Sequence, residues 1–235
     1  DINMVHGGVL NADAKSKELG FAGITNSVED VIVARDILLA KETGVRLHLC
    51  HCSTKDSVRM VELAKEEGLP VTAEVCPHHF CMTSDDITED DANYKMNPPL
   101  RTKEDVEALK KGLADDIMDV IATDHAPHAA REKEQGIQKA PFGIVGLETA
   151  AALTYTELVK SGILTPMQMA EKMSYNPAKV LGLKKGTVAE GSHADLTIFD
   201  PEYEWVIDPA EFLSKGKNTP FGGKKVIGKV MATIV

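Results

Sequence analysis

Alternating strand and helix patterns are the feature that most constrains the fold of this chain. Three short apolar segments have strand character: residues 45–50, 71–75 and 118–123. Three amphipathic helical patterns lie beside them: residues 27–42, 53–68 and 102–111. Strands separated by helices of this length predict right-handed βαβ units and a parallel sheet, either open or closed into a barrel.

Polar, histidine-rich residues directly follow these strands. They include His51, the pair His78 and His79, and residues 124–128, while Asn97 follows a weaker strand predicted at 94–96. Barrel enzymes carry their catalytic residues at the carboxyl ends of the strands. The pattern therefore favours an α/β fold of the (β/α)₈ barrel type, with a site at this rim.

The pattern of secondary structure predicted from the sequence changes after Lys184. Helical stretches at 147–160, 167–173 and 177–181 give way to short β-type segments, at 186–188, 194–199, 203–207 and 225–235. We predict two units: part of the barrel over residues 1–184, and part of a small β-sandwich domain over residues 185–235.

Composition excludes several classes of function. The net charge is -10 and the pI is near 5.3, with no clustered Lys and Arg, which argues against nucleic-acid binding. No segment approaches the roughly 20 apolar residues of a membrane span, and no secretory signal is evident. We expect a cytoplasmic protein whose four cysteines are reduced and buried rather than paired or bound to zinc.

Three residues form a candidate metal site. His51, His79 and Asp124 each follow a different predicted strand, so a barrel would bring them to one rim. Two imidazoles and a carboxylate suit a catalytic zinc that keeps a position open for water. Asp124 has an alternative role, equally compatible with its segment, as an acceptor of backbone N–H bonds in the following loop.

Five motifs, in this order, resemble those of bacterial dihydroorotases of the amidohydrolase superfamily. They are Leu-Cys-His-Cys-Ser-Thr at 49–54, Thr-Ala-Glu-Val-Cys-Pro-His-His at 72–79, Lys-Met-Asn-Pro-Pro-Leu-Arg at 95–101, Ala-Thr-Asp-His-Ala-Pro-His at 122–128 and Ala-Pro-Phe-Gly-Ile-Val-Gly-Leu-Glu at 140–148. Residues 7–36 and the tail from Gly186 are also similar. The resemblance therefore covers nearly the whole chain.

The resemblance implies a role for each motif in the second half of a metal-dependent hydrolase barrel. His51 and His79 match metal ligands after the fifth and sixth strands. Asp124 matches the carboxylate after the eighth strand, a metal ligand that also serves as general base and then acid. The complete enzyme would hold one or two Zn²⁺ ions.

The remaining motifs imply contacts with a small-molecule substrate. Asn97 and His128 match substrate-binding residues, and the main chain of Pro141, Phe142 and Gly143 matches the loop that holds the pyrimidine ring. The implied reaction is the reversible cyclisation of N-carbamoyl-L-aspartate to L-dihydroorotate in pyrimidine biosynthesis. The alternatives are another cyclic-amide hydrolase, such as an allantoinase or hydantoinase, or a catalytically silent structural partner.

The sequence departs from the family pattern at its beginning. The family's His-x-His motif and its bridging carboxylated lysine or aspartate are absent, and the first residue is Asp1 rather than Met. We therefore expect a fragment that is inactive alone and that is completed by an N-terminal half. Further copies of the chain and aspartate transcarbamoylase are the other partners that the resemblance suggests.

Several polar residues match no ligand position. We expect His48, His78 and His125 to have structural or supporting roles, and Arg101 to have a local or supporting role rather than to bind a carboxylate. Glu74 lies in an apolar strand, so we expect it to be buried and hydrogen-bonded. By strand alternation, Cys50 and Cys52 should both point away from the barrel interior if His51 points inward.

Overall fold

The computed structural model describes residues 2–235. Seven strands lie in this range: β1 (Leu10–Asn11), β2 (Gly23–Ile24), β3 (Leu47–Leu49), β4 (Val71–Val75), β5 (Val120–Ile121), β6 (Leu196–Val206) and β7 (Lys225–Ile234). The α-helices are α1 (Ile2–Val5), α2 (Ala14–Glu18), α3 (Ser27–Thr43), α4 (Lys55–Glu66), α5 (Pro77–Cys81), α6 (Lys103–Ala114), α7 (Ala130–Lys133), α8 (Gly136–Lys139), α9 (Ala150–Thr154), α10 (Pro166–Ala170) and α11 (Asn176–Val180).

The parallel strands confirm the predicted α/β fold. Strands β3, β4 and β5 form a three-stranded parallel sheet, in which His48 pairs with Thr72 and Glu74 with Val120. Strands β1 and β2 form a separate parallel pair that the sequence patterns had not indicated. Because parallel strands end at the same edge, the segments after β3, β4 and β5 all emerge together.

The long helices begin and end where local chemistry favours it. Thr54 caps α4 by accepting a hydrogen bond from the backbone N–H of Ser57, and Gly44 ends α3 in a left-handed conformation with φ +70°. Helices α3, α4 and α6 cover one face of the sheet. Their apolar side chains pack with Val71, Ala73 and Val75 of β4 in one buried cluster.

The C-terminal unit is an antiparallel hairpin of β6 and β7. Every residue from 181 to 195 is exposed, and the predicted boundary between residues 184 and 185 falls inside this run. The chain beyond it returns to the first unit. Ile207, Phe212, Phe221 and Val226 pack in the same apolar cluster as barrel-side residues such as Met96. The division into two domains stays a prediction.

Three local predictions differ from the structure. The strand expected at 94–96 is replaced by a 3₁₀ turn over Ala92–Tyr94, where the Asp91 side chain accepts from the Asn93 N–H and stabilises the turn. Residues 186–188 form no strand. The helical stretch at 147–160 is α9 followed by a π-helical turn over Tyr155–Val159. No helix within residues 2–235 combines the length and apolar character needed to cross a membrane.

Candidate metal and substrate site

The three predicted metal ligands all follow strands of the β3–β4–β5 sheet. His51 lies two residues after β3, His79 lies in the short helix α5 after β4, and Asp124 lies three residues after β5. His51 and Asp124 both have left-handed backbones, with φ +41° and +47°. This conformation is costly for residues other than glycine and concentrates at functional sites. The backbone thus takes an unfavourable conformation at two of the three positions.

His79 is held in the form that binds a metal. Its ring is buried, and Nε2 lies 2.9 Å from the Pro98 carbonyl oxygen, to which it donates its proton. Burial holds the pKa of His79 well below 6.5, so the imidazole is neutral. The Nδ1 lone pair is buried and has no hydrogen-bond partner in the described part of the chain. Metal-ligating histidines usually have one ring nitrogen bonded to a carbonyl or carboxylate, as Nε2 is here, which leaves the other nitrogen, here Nδ1, free to bind the metal.

His51 and Asp124 both influence the titration of buried groups that follow β4. Burial lowers the pKa of both His78 and His79; the charge of His51 adds to this for His78, and His78 and then His51 add to it for His79. Burial and then Asp124 raise the pKa of the Cys76 thiol. The ligand-bearing strand ends therefore form one cluster of interacting groups.

Two groups of three ligand-type atoms lie within 4.8 Å of one another in the described residues. One consists of Cys76, His78 and His79, and the other of His48, Cys50 and Glu74. Neither contains the full set of His51, His79 and Asp124. That set stays a prediction, and its ligand atoms do not form one such group among the described residues.

The histidines outside the predicted set have distinct surroundings. His125 Nδ1 accepts a hydrogen bond of 3.0 Å from the Gly146 N–H, which is a structural role. His78 is buried, and burial together with His51 lowers its pKa to about 3. Its Nε2 has no partner among the described residues. His48 also has a supporting role, because its ring nitrogens bond to Thr72 and Glu74.

Glu74 makes the hydrogen bonds expected of it. One carboxylate oxygen accepts from the His51 backbone N–H at 3.2 Å, and the other lies 3.0 Å from His48 Nε2. The expected burial of all four cysteines was wrong for Cys50, which is exposed, and Cys81 is only partly buried. The expected direction of Cys50 and Cys52 was half wrong. Cys52 is buried in the helix-side core, but Cys50 lies on the opposite face beside Glu74, because β3 ends at Leu49 and the left-handed backbone of His51 breaks the alternation.

The predicted substrate residues lie along a second edge of the site. Asn97 is exposed, and the segment just before it is tied to the loop at 141–143 by a bond of 2.9 Å from the Gly143 N–H to the Lys95 carbonyl. His128 Nε2 donates to the Phe142 carbonyl at 2.9 Å. The structure therefore brings together the Asn97 segment, His128 and residues 141–143, which we call the substrate loop.

Two residues that sequence reasoning missed hold the substrate loop. Lys133 is buried, and its ammonium group donates to the carbonyls of Pro141 and Gly143 at 3.0 Å each. Asn218, from the C-terminal unit, donates from its amide to the Ala126 and Gly143 carbonyls, while its oxygen accepts from the His128 N–H. Asn218 lies in a turn-rich segment 75 residues from Gly143, so no local pattern marks it.

A cavity of about 660 Å³ opens beside this loop. His128, Lys133 and Asn218 form part of its wall, and the acidic segment 89–91 and Lys217 form another part. Burial and the nearby Lys95 ammonium lower the pKa of Lys133 from 10.5 to about 8. The cavity therefore contacts the residues that set the conformation of the loop.

Arg101 supports the ligand side in a comparable way. The side chain is fully buried, and it donates to Ser53 Oγ, the Asn11 side chain and the Ile24 carbonyl. Its guanidinium also lies 3.6 Å from Glu29. These bonds link the β1–β2 pair to the segment that follows His51. The partners lie 48 to 90 residues away in the sequence, so the contacts fit the expected supporting role of Arg101 and not the local one.

Comparison with known proteins places this arrangement in a family. The chain belongs to the amidohydrolase family, whose profile matches residues 4–235. It is 54% identical over its whole length to a dihydroorotase of Pelotomaculum thermopropionicum and 51% identical to one of Staphylococcus aureus. In both cases the chain spans 55% of the relative's length, so it corresponds to about half of the curated relatives it matches.

Solved structures agree on the fold. A dihydropyrimidinase from Brevibacillus agri superposes with a TM-score of 0.84 and 29% identity, over 89% of this chain and 47% of that chain. An L-hydantoinase from Arthrobacter aurescens gives a TM-score of 0.82 and 34% identity, over 88% of this chain and 47% of that one. These matches confirm the predicted half of a barrel-type amidohydrolase fold with a small C-terminal sheet.

Proposed function

We propose that the chain forms the C-terminal half of a dihydroorotase, which interconverts N-carbamoyl-L-aspartate and L-dihydroorotate in pyrimidine biosynthesis. The observation that carries the proposal is the free Nδ1 of His79, oriented by the Pro98 carbonyl within the motif shared with dihydroorotases. A buried unpaired imidazole nitrogen is costly unless something binds it. A catalytic metal ion satisfies that nitrogen.

The residues present fit a zinc ion. His51, His79 and Asp124 would hold it, because two imidazoles and one carboxylate leave a coordination position open, as catalytic zinc sites require. When bound, the ion would polarise the ring amide carbonyl and make water a stronger acid. One or two ions would be present in the complete enzyme.

The side chains of this chain would move the proton and hold the substrate. The Asp124 carboxylate takes a proton from the attacking water and passes it to the ring nitrogen as the amide bond breaks; cyclisation reverses these transfers. Asn97 and His128 would bind the substrate, and the main chain of Pro141, Phe142 and Gly143 would hold the ring. Lys133 and Asn218 bind the carbonyls of this loop, so its main-chain N–H groups keep one orientation.

The test joins this chain to the N-terminal portion of the Pelotomaculum relative and measures hydrolysis of dihydroorotate with added zinc. Asp124→Asn should reduce turnover about a thousandfold, because general acid-base transfer is lost while the side-chain shape is kept. Asp115→Asn, at a residue outside the site whose side chain pairs with Lys111, should leave turnover unchanged. Full activity of the Asp124→Asn protein would overturn the assignment.

A hydantoinase-type activity is the second candidate, because dihydropyrimidinase and hydantoinase structures superpose closely on this chain. The same joined protein should be supplied with dihydrouracil and hydantoin. Higher kcat/KM on either compound than on dihydroorotate would replace the first proposal. Absence of turnover on all three cyclic amides would instead support the catalytically silent structural partner.

We further propose a cytoplasmic protein that assembles with other chains. All four cysteines are free in the structure, which supports a reducing compartment. The N-terminal half, further copies of the chain and aspartate transcarbamoylase stay predicted partners.

A further inference from the structure

A second cluster of metal-ligand atoms lies on the neighbouring strands β3 and β4, next to the predicted zinc ligand His51, whose backbone N–H donates to Glu74. It consists of His48 on β3, Cys50 just after β3 and Glu74 on β4, and their ligand atoms all lie within 4.8 Å of one another. None of the three belongs to the set of His51, His79 and Asp124. We propose that His48, Cys50 and Glu74 form a site for a zinc-type divalent cation, distinct from the catalytic metal position.

The donor set suits this class of ion. One thiolate, one imidazole and one carboxylate are all ligands of zinc, and three protein ligands leave one position for water. Ligand atoms around a tetrahedral zinc lie about 3.3–3.7 Å apart, as zinc bond lengths of about 2.0–2.3 Å require. The His48 Nε2 to Glu74 Oε2 distance is already 3.0 Å, so binding needs only small side-chain adjustments.

His48 has the supporting contact that metal-binding histidines usually have. Its Nδ1 lies 2.8 Å from the Thr72 hydroxyl, on the residue that pairs with His48 in the sheet. A hydrogen bond at the outer nitrogen orients the ring and directs the other nitrogen toward the ligand position. Here Nε2 faces the Glu74 carboxylate, whose negative charge calls for a cation at this position.

The site is open to solution. Cys50 is exposed, whereas Cys52 and Cys76 are buried. His48 and Glu74 are half-buried beside the exposed Cys50, and the thiol proton of Cys50 is released to solvent on binding.

Cobalt(II) titration of the reduced protein tests the proposal, because a thiolate–cobalt bond gives a near-ultraviolet charge-transfer band. We expect the band in the wild-type protein and its complete loss in Cys50→Ser. Cys52→Ser, which replaces the buried cysteine on the other side of His51, should keep the band. Thr72→Val should weaken cobalt binding about ten- to a hundredfold through the loss of the contact that orients His48.

Three outcomes would overturn the site: no thiolate band in the wild type, an unchanged band in Cys50→Ser, or loss of the band in Cys76→Ser with retention in Cys50→Ser. The last would place the cation at Cys76, His78 and His79. The predicted catalytic ligands include no thiolate, so cobalt bound there contributes no such band. His79→Gln should accordingly leave the band in place, and failure of this proposal is distinguishable from failure of the proposed function.

Discussion

Arg101 and Lys133 are buried cations on the two sides of the site, and they hold their surroundings by different means. Arg101 donates mainly to side chains and lies near the carboxylate of Glu29, so it is part of a charged network beside the predicted metal ligands. Lys133 donates only to backbone carbonyls, with no carboxylate in salt-bridge contact among the described residues. The ligand side thus has a permanently charged centre, and the substrate side has one whose charge responds to pH.

The largest expected effect is on the ligand side. Arg101→Met should lower the free energy of unfolding by about 3–5 kcal/mol, because it removes the only cation in salt-bridge contact with Glu29 among the described residues and one donor from each of several buried acceptors. Urea denaturation measures the change. The exposed Arg59→Met serves as the control and should stay within about 0.5 kcal/mol. A loss below about 1 kcal/mol in Arg101→Met would remove the distinction between the two sides.

On the substrate side, Asn218→Ala should lower the free energy of unfolding by about 2–3 kcal/mol, because it leaves the His128 N–H and two carbonyls with one fewer partner each. Amide hydrogen exchange should also become faster in the substrate loop while β4 keeps its protection. Asn93→Ala, on the wall of the same cavity, is the matched control with little expected change. Equal exchange in the loop before and after substitution would contradict the role of Asn218.

Gly143→Ala should lower the free energy of unfolding by about 2 kcal/mol more than Gly162→Ala does. Both glycines have positive φ, +114° and +78°, but a Cβ on Gly143 would lie 2.5 Å from the Ala126 Cβ, whereas one on Gly162 meets nothing within 4 Å. The difference combines the steric contact with greater backbone strain at Gly143, because φ +114° lies farther from the left-handed helical region than φ +78°. Thermal or urea unfolding measures it. If contact is the cause, adding Ala126→Gly to Gly143→Ala restores much of the loss.

The smallest expected effect is the pH response of Lys133. Its pKa of about 8 lies below the 10.5 of the unfolded chain, so the unfolded state binds more protons between pH 8 and 10.5. Stability relative to a Lys133→Met reference should therefore rise with pH across this window, by roughly 1 kcal/mol between pH 7 and 9. Below pH 8 the unfavourable burial of the ammonium is fully present. Parallel unfolding curves of the two proteins over this range would show that Lys133 does not titrate there.

The sequence predicted what depends on local pattern. Helices α3, α4 and α6 carry end signals such as Thr54 and Gly44, and their apolar periodicity fixes which face they bury. The strand ends could be placed because β3, β4 and β5 are apolar and parallel. These features located His51, His79 and Asp124 along one rim.

The rest depends on contacts between distant segments or on backbone conformations without a residue signature. Asn218 and Lys133 lie in polar stretches typical of solvent-exposed loops and helices, and only the folded chain shows them beneath the substrate loop. The direction of Cys50 was mispredicted because a histidine gives no sign that its φ will be positive. Strands β1 and β2, two residues each, are too short to show any period.

The exposed run at 181–195 has a consequence for how the chain tolerates cleavage. A protease that cuts there would separate the hairpin covalently, but Asn218 and the apolar residues around Phe221 would still join the two pieces. The C-terminal fragment would remain bound against the substrate loop without a covalent link. A cut in this run would therefore break the chain without separating the folded parts.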